Sequence, residues 1–142
     1  MELTPAITLQ ELAQVDVNRL PPQARVIIRL IGIEDAWALL SHFGGKDINI
    51  PMGKRPGTLL YQAIPEASAA ALINAFAGKR LALPTTDKIV RQIRDHRIHH
   101  AKAQGETTRA LARRFHLTRR SIILICTRMD AEQPVKKVFK HA

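Results

Sequence analysis

The sequence predicts a mainly α-helical chain with two short strands, and three observations lead to that class. Apolar residues recur at helical spacing through most of the chain between Thr8 and Thr127. A segment able to form two helices and a strand occurs twice, at about residues 24–51 and 57–84. A third run, Thr108 to Thr127, keeps helical spacing on both sides of a single break at His116.

The elements follow in order. Thr8-Leu-Gln-Glu11 is a capping box that opens a short helix, followed by apolar Leu9, Leu12, Ala13, Val15 and Val17, and Pro21-Pro22 closes the segment. Pro22 suits the first turn of a second helix, whose run Val26, Ile27, Ile28, Leu30 and Ile31 is apolar enough to be buried on most sides. Gly32 interrupts it. A third helix runs through Ala36, Trp37, Leu39, Leu40 and Phe43 to a stop at Gly44-Gly45, and Ile48-Asn-Ile50 then alternates as a strand before Pro51.

The next segment repeats this one. With a shift of 33 residues and no gap, Ile31, Ala36, Ala38, Leu39, Phe43, Gly45, Lys46 and Pro51 meet Ile64, Ala69, Ala71, Leu72, Phe76, Gly78, Lys79 and Pro84, eight identities over 21 positions. Similar pairs fall where a core would need them: Val26 with Leu59, Ile27 with Leu60, Leu40 with Ile73, Ile48 with Leu81 and Ile50 with Leu83. Two units are too few for a solenoid. A four-residue strand is marginal alone, so Ile48, Asn49 and Ile50 are expected to pair with Leu81, Ala82 and Leu83 around a local dyad, giving a dimerisation-like region over residues 1–85.

After Pro84, Thr86 is placed to cap a long helix from about Asp87 to Ala103, with Ile89, Val90, Ile93 and Ile98 as its apolar stripe and Gly105 beyond its end. It becomes the first helix of a three-helix unit over residues 86–129. Leu111, Ala112, Phe115, Leu117, Ile122 and Ile125 are the expected core of the following helix pair. Ala112 sits where the second helix presses on the first, so small size is required there. His116 takes the turn position that needs positive φ, and Thr118 caps the second helix. The pattern is a helix-turn-helix, in which the second helix enters a major groove. The tail at 130–142 has little periodicity and several positive charges; it is a basic arm touching phosphates or a disordered end.

Charge separates the two regions. Residues 1–84 carry 8 Lys and Arg against 7 Asp and Glu, a net of +1, while residues 85–142 carry 14 against 5, a net of +9. A basic stripe beside a neutral body is the electrostatic footprint of a nucleic-acid binder, because neutralising phosphates releases condensed counterions. Binding to a membrane surface would want aromatic or leucine-rich faces opposite the basic ones, and aromatic residues make up only 4% of the chain. No basic segment precedes an apolar signal core, and no run approaches the ~18 apolar residues of a membrane span, so a cytoplasmic location is expected. The single cysteine, Cys126, excludes a disulfide within the chain and is expected as a buried, inert thiol.

Roles on double-stranded DNA follow from these positions. Arg119 and Arg120 are expected at bases or flanking phosphates, and Thr118 and Ser121 at phosphates or base edges. Leu124 and Thr127 would meet a thymine methyl or the groove wall, while Arg109, Arg113, Arg114 and Arg128 would hold the backbone. His96, His99 and His100 share a helix at metal-compatible spacings, but Asp95 points to another side, and a polar helix face is the expected role. No phosphate loop, nucleophile-base pair or paired carboxylates stand out. Neither an enzyme nor a cofactor is expected.

At this point the sequence resembles the phage middle-operon regulator (Mor) family of transcription activators, over about residues 20–129. The Gly-Gly-x-x-Ile-x-Ile-Pro form of residues 44–51, the run Ile93-Arg-Asp-His-Arg-Ile98 and the helix-turn-helix spacing carry the resemblance. It implies an intertwined dimerisation region, a homodimer on an imperfect inverted repeat, and contact with bacterial RNA polymerase to activate phage promoters in the host cytoplasm. It also implies polar strand residues near the DNA, for which the matching positions are Asp47 and Asn49 in the first copy and Arg80 and Ala82 in the second. The internal duplication offers an alternative to the homodimer, a core paired within one chain. Two further function classes fit the same residues: an adaptor or inhibitor working through the repeat region, and an architectural DNA binder of low specificity.

Overall fold

A computed structural model describes residues 3, 5–53 and 58–132. It is mainly helical, with two short antiparallel strands. The chain divides into two compact units, Met1–Arg91 and Gln92–Ala142. The arm expected at 130–142 lies outside the described residues after Glu132.

In the first unit, α1 (Leu9–Ala13) opens on Thr8, whose hydroxyl accepts the Glu11 amide at 3.2 Å while the Glu11 carboxylate takes the Thr8 N–H at 3.0 Å. A 3-10 turn, Val17–Arg19, leads to α2 (Pro22–Ile31), with proline in its first turn. Helix α2 is not buried on most sides. Ala24, Ile27 and Ile28 face the core, while Val26 and Leu30 each keep 38% of their surface exposed beside Arg29. The helical period selects the face i, i+3, i+4, and an unbroken apolar run therefore leaves residues on the outer side.

Helix α3 (Ile33–Phe43), strand β1 (Asp47–Asn49), helix α4 (Leu59–Ala63), helix α5 (Glu66–Phe76) and strand β2 (Arg80–Ala82) follow. The bounds of α3 and α5, and of β1 and β2, differ by 33 residues at both ends. Strands β1 and β2 are antiparallel neighbours, with Asp47 opposite Ala82, Ile48 opposite Leu81 and Asn49 opposite Arg80. Beyond the ladder, Gly45 N–H donates to the Leu83 carbonyl at 2.8 Å and Gly78 N–H to that of Ile50 at 3.0 Å. Ile50 N–H reaches the Lys79 carbonyl and Leu83 N–H that of Lys46, both at 2.9 Å. Each bond thus has a counterpart displaced by 33 residues. Ile50, Leu81 and Leu83 are buried and Ile48 is half-buried, whereas Asp47, Asn49, Arg80 and Ala82 look outward.

The core of this unit is built from Ile27, Ala36, Leu39, Leu40, Leu60, Ala69, Leu72 and Ile73, together with Ile89 and Val90 from the start of α6 (Asp87–Ala103). Ala36 and Ala69, and Leu39 and Leu72, are fully buried at equivalent positions, whereas Val26 and Leu59, expected at a core position, lie on outer faces and are 38% and 66% exposed. In the second unit, the remainder of α6 is followed by α7 (Thr108–Phe115) and α8 (Arg119–Ala131). Among the described residues, no helix is long and apolar enough to cross a membrane.

Gly45 and Gly78 turn the chain from helix into strand at φ +82° and +72°, where an L side chain is strained. Gly45→Ala is expected to cost about 1 to 2 kcal/mol. The check is a lowered urea midpoint with an unchanged slope.

Candidate nucleic-acid interface

The pair α7 and α8 is shaped first by its caps. Thr107 Oγ1 accepts the Ala110 N–H at 3.1 Å and starts α7. His116 ends it in the left-handed region, φ 57° and ψ 43°, and Leu117 N–H bonds back to the Ala112 carbonyl at 2.9 Å. Histidine accepts this conformation at a modest cost, so the chain reverses without glycine. Thr118 then caps α8: its Oγ1 accepts the Ser121 N–H at 3.0 Å, and its hydroxyl donates to Ser121 Oγ at 2.9 Å. The two side chains expected at phosphates or base edges therefore also satisfy each other.

Ile98, Ala101, Leu111, Ala112, Ile122, Ile125 and Met129 form the core beneath, and Phe115, Leu117 and Cys126 pack half-exposed against it. Ala112 is 9% exposed, so a larger side chain there would have to displace its neighbours. Because Ile122, Ile125 and Met129 fix the inner stripe of α8, its opposite face carries Arg120, Ile123, Leu124 and Thr127 at i, i+3, i+4 and i+7. Ile123 and Leu124 are 54% and 56% exposed. Thr108, Arg119, Arg120, Ile123 and Leu124 line one shallow groove.

The arginines divide into two sets. Arg109, Arg113, Arg119 and Arg120 are exposed and have no hydrogen-bond or ion-pair partner among the described residues. Arg114 is held by Glu106, with one guanidinium nitrogen at 2.9 and 3.0 Å from the two carboxylate oxygens, and lies over the Phe115 ring at 4.9 Å. Arg128 reaches the Asp95 carboxylate at 2.5 Å, and Arg94 takes the other oxygen of that group through two nitrogens at 3.0 and 2.9 Å. Asp95, only 9% exposed, thus ties α6 to α8, and Arg128 is half-exposed with one end engaged. His99 Nε2 lies 2.7 Å from Asp130 Oδ1, a second link between the same helices.

The strand residues belong to the first unit. There Asp47 and Arg80 form an ion pair at 3.3 Å across the outer face of the ladder, beside Asn49 and Ala82. Ile123, Glu106 and Thr107 carry no expected role in the sequence, and Asp95 none as a link between α6 and α8. Ile123 was legible, since it stands one turn from Arg120 and shares its face. Asp95 and Glu106 act through partners 33 and 8 positions away, which local spacing does not display.

A basic helix pair with a partly apolar outer face has the features of a nucleic-acid-binding surface. A model of the Mor transcription activator family matches residues 58–138, more than half of the chain, and the chain belongs to that family. The match begins at Thr58, inside the second copy, whereas the sequence resemblance was traced from about residue 20. The first copy shares the Gly-Lys and Pro frame of the second, which is why residues 44–51 carried the likeness. Neither a curated protein nor a solved structure matches the chain.

Burial raises the Cys126 thiol above its ordinary pKa, and the Asp130 carboxylate adds to the shift. The unfolded thiol ionises first as pH rises through about 8.5, so the native state then binds more protons and stability falls. Alkylation of Cys126 is expected to reach half its maximal rate at a higher pH in the native chain than in urea. Coincident profiles would remove the shift.

Proposed function

We propose that the chain is a sequence-specific DNA-binding activator of phage or prophage genes, reading a major groove with α8 as the second helix of a helix-turn-helix. One observation carries this: the outer face of α8 joins unpaired arginines, Arg119 and Arg120, to a stripe of Ile123, Leu124 and Thr127. Arginine is the commonest reader of guanine, through its N7 and O6. An aliphatic side chain complements the C5 methyl of thymine, the one apolar group on the major-groove edge. Arg109 and Arg113 hold flanking phosphates and contribute to the salt slope. Arg114 and Arg128 are pre-positioned by Glu106 and Asp95, so they offer a phosphate fewer free N–H groups. Thr118 and Ser121 retain acceptor capacity for a backbone or base contact at the helix start.

Family membership supports regulation of transcription. Contact with bacterial RNA polymerase, and work in the host cytoplasm, are part of the same proposal.

Arg120→Ala is expected to weaken binding to a duplex selected from a random library by about 1 to 3 kcal/mol and to leave non-specific binding nearly unchanged. Equal losses on all sequences would place Arg120 at a phosphate. Replacing the thymines of the selected site one at a time by deoxyuridine removes only the methyl group. At one or two positions this should weaken the wild type several-fold and leave Leu124→Ser indifferent; uniform indifference of the wild type would remove Ile123 and Leu124 from the readout.

A further inference from the structure

The 33-residue offset has a meaning at three places in the first unit. Ile48 lies opposite Leu81, which is its own equivalent in the second copy. The Ser68 hydroxyl donates to the Asp35 carboxylate, and these residues are also equivalents. Arg80 pairs with Asp47 at 3.3 Å, again 33 positions apart. A residue that meets its own equivalent lies on or beside the local twofold axis, as in an isologous dimer interface.

At two of these places, Asp35 with Ser68 and Asp47 with Arg80, the copies differ in polar chemistry, and the difference is complementary. If the first copy paired with the first copy of another chain, Asp35 would face a second Asp35, and Asp47 a second Asp47. Two carboxylates at hydrogen-bond distance cannot both ionise without a penalty. If the second copy paired with another second copy, Arg80 would approach a like guanidinium. Pairing first with second replaces each clash by a hydrogen bond or an ion pair. Asp47 and Arg80 are largely exposed, with side-chain exposures of 48% and 73%, so their pair adds little stability. Its effect is on the choice of partner, through the repulsion it spares. The Asp35–Ser68 bond, with Ser68 buried, carries more of the weight.

Chain connectivity makes the pair one-headed. After Pro84 the chain enters α6 and continues to α7 and α8, whereas after Pro51 it passes to α4 of the second copy. The family match likewise starts at Thr58, with α2, α3 and β1 preceding it.

We infer that the two copies have become a mutually selective pair, so that the chain closes its own dimerisation surface and binds DNA as a monomer, one head on one unrepeated element. The stoichiometry on DNA rests on the function proposed above; the internal pairing does not. Light scattering of the full chain should give one chain mass, 15.9 kDa, over a wide range of concentration, and one chain per duplex on the selected site. A mass of two chains, free or bound, overturns the inference. One chain mass without any DNA binding keeps the pairing and removes the DNA reading.

Substitution tests the complementarity without DNA. Ser68→Asp recreates the like pair and should lower Tm, and the exchange Asp35→Ser with Ser68→Asp should recover most of the loss. Should Ser68→Asp not fold, the exposed pair serves: Asp47→Arg lowers Tm slightly, and Asp47→Arg with Arg80→Asp restores it. An exchange as damaging as its single variant, at both places, overturns the inference.

Discussion

The first unit depends on one ladder of two three-residue strands, β1 and β2. Neither would persist alone, because so short a pair forms too few hydrogen bonds to repay the chain entropy of ordering it. The ladder holds because each strand is delivered by a helix, with three residues between helix and strand in both copies. Glycine takes the one backbone conformation between them that other residues resist, at Gly45 and at Gly78. Ile50 and Leu83 then plunge into the core on the far side of the strands. Helix, glycine, strand and apolar anchor thus constrain each other, and the same cycle closes twice.

The second unit solves a different problem, that of holding a short helix rigidly with its outer face free. Its tight turn runs through His116 rather than glycine, and both helix starts are capped by threonine. With those backbone groups satisfied, the apolar stripe Ile122, Ile125 and Met129 sets the rotation of α8, and hence which residues look outward. Asp95 adds a buried charge that gathers Arg94 and Arg128. Exposing Ile123 and Leu124 forgoes burial worth up to about 1.5 to 3 kcal/mol for each side chain, a cost that contact with an apolar group would offset.

Much of this was legible because the signals are local. The Thr8 and Glu11 box, the span of α6, the positive φ of His116 and the Thr118 cap are each set by neighbours within four positions, so spacing alone displays them. The strand positions followed from the comparison of two segments rather than from either one, since three residues of alternation are weak evidence by themselves. What spacing could not display were interactions between distant positions: Asp35 with Ser68, Asp95 with Arg128, Arg114 with Glu106. The sidedness of α2 was missed for another reason. Its apolar run hid the helical period, and only the neighbours in the fold decide that Val26 and Leu30 are left outside.

A one-headed chain faces a problem of specificity that a symmetric dimer does not. Two heads on an inverted repeat add their base contacts, whereas one helix face reads only a few base pairs, each worth about 1 to 3 kcal/mol against a mismatch. Competing sites in a genome outnumber what so short an element can exclude. A second protein already bound nearby changes this balance, because tethering the head confines it to adjacent DNA at an effective concentration in the millimolar range. Contact with polymerase would thus do for this chain what a partner head does for a dimer. Under the proposed function, activation and a single head would belong together: a weak reader would become selective where the polymerase is already in place.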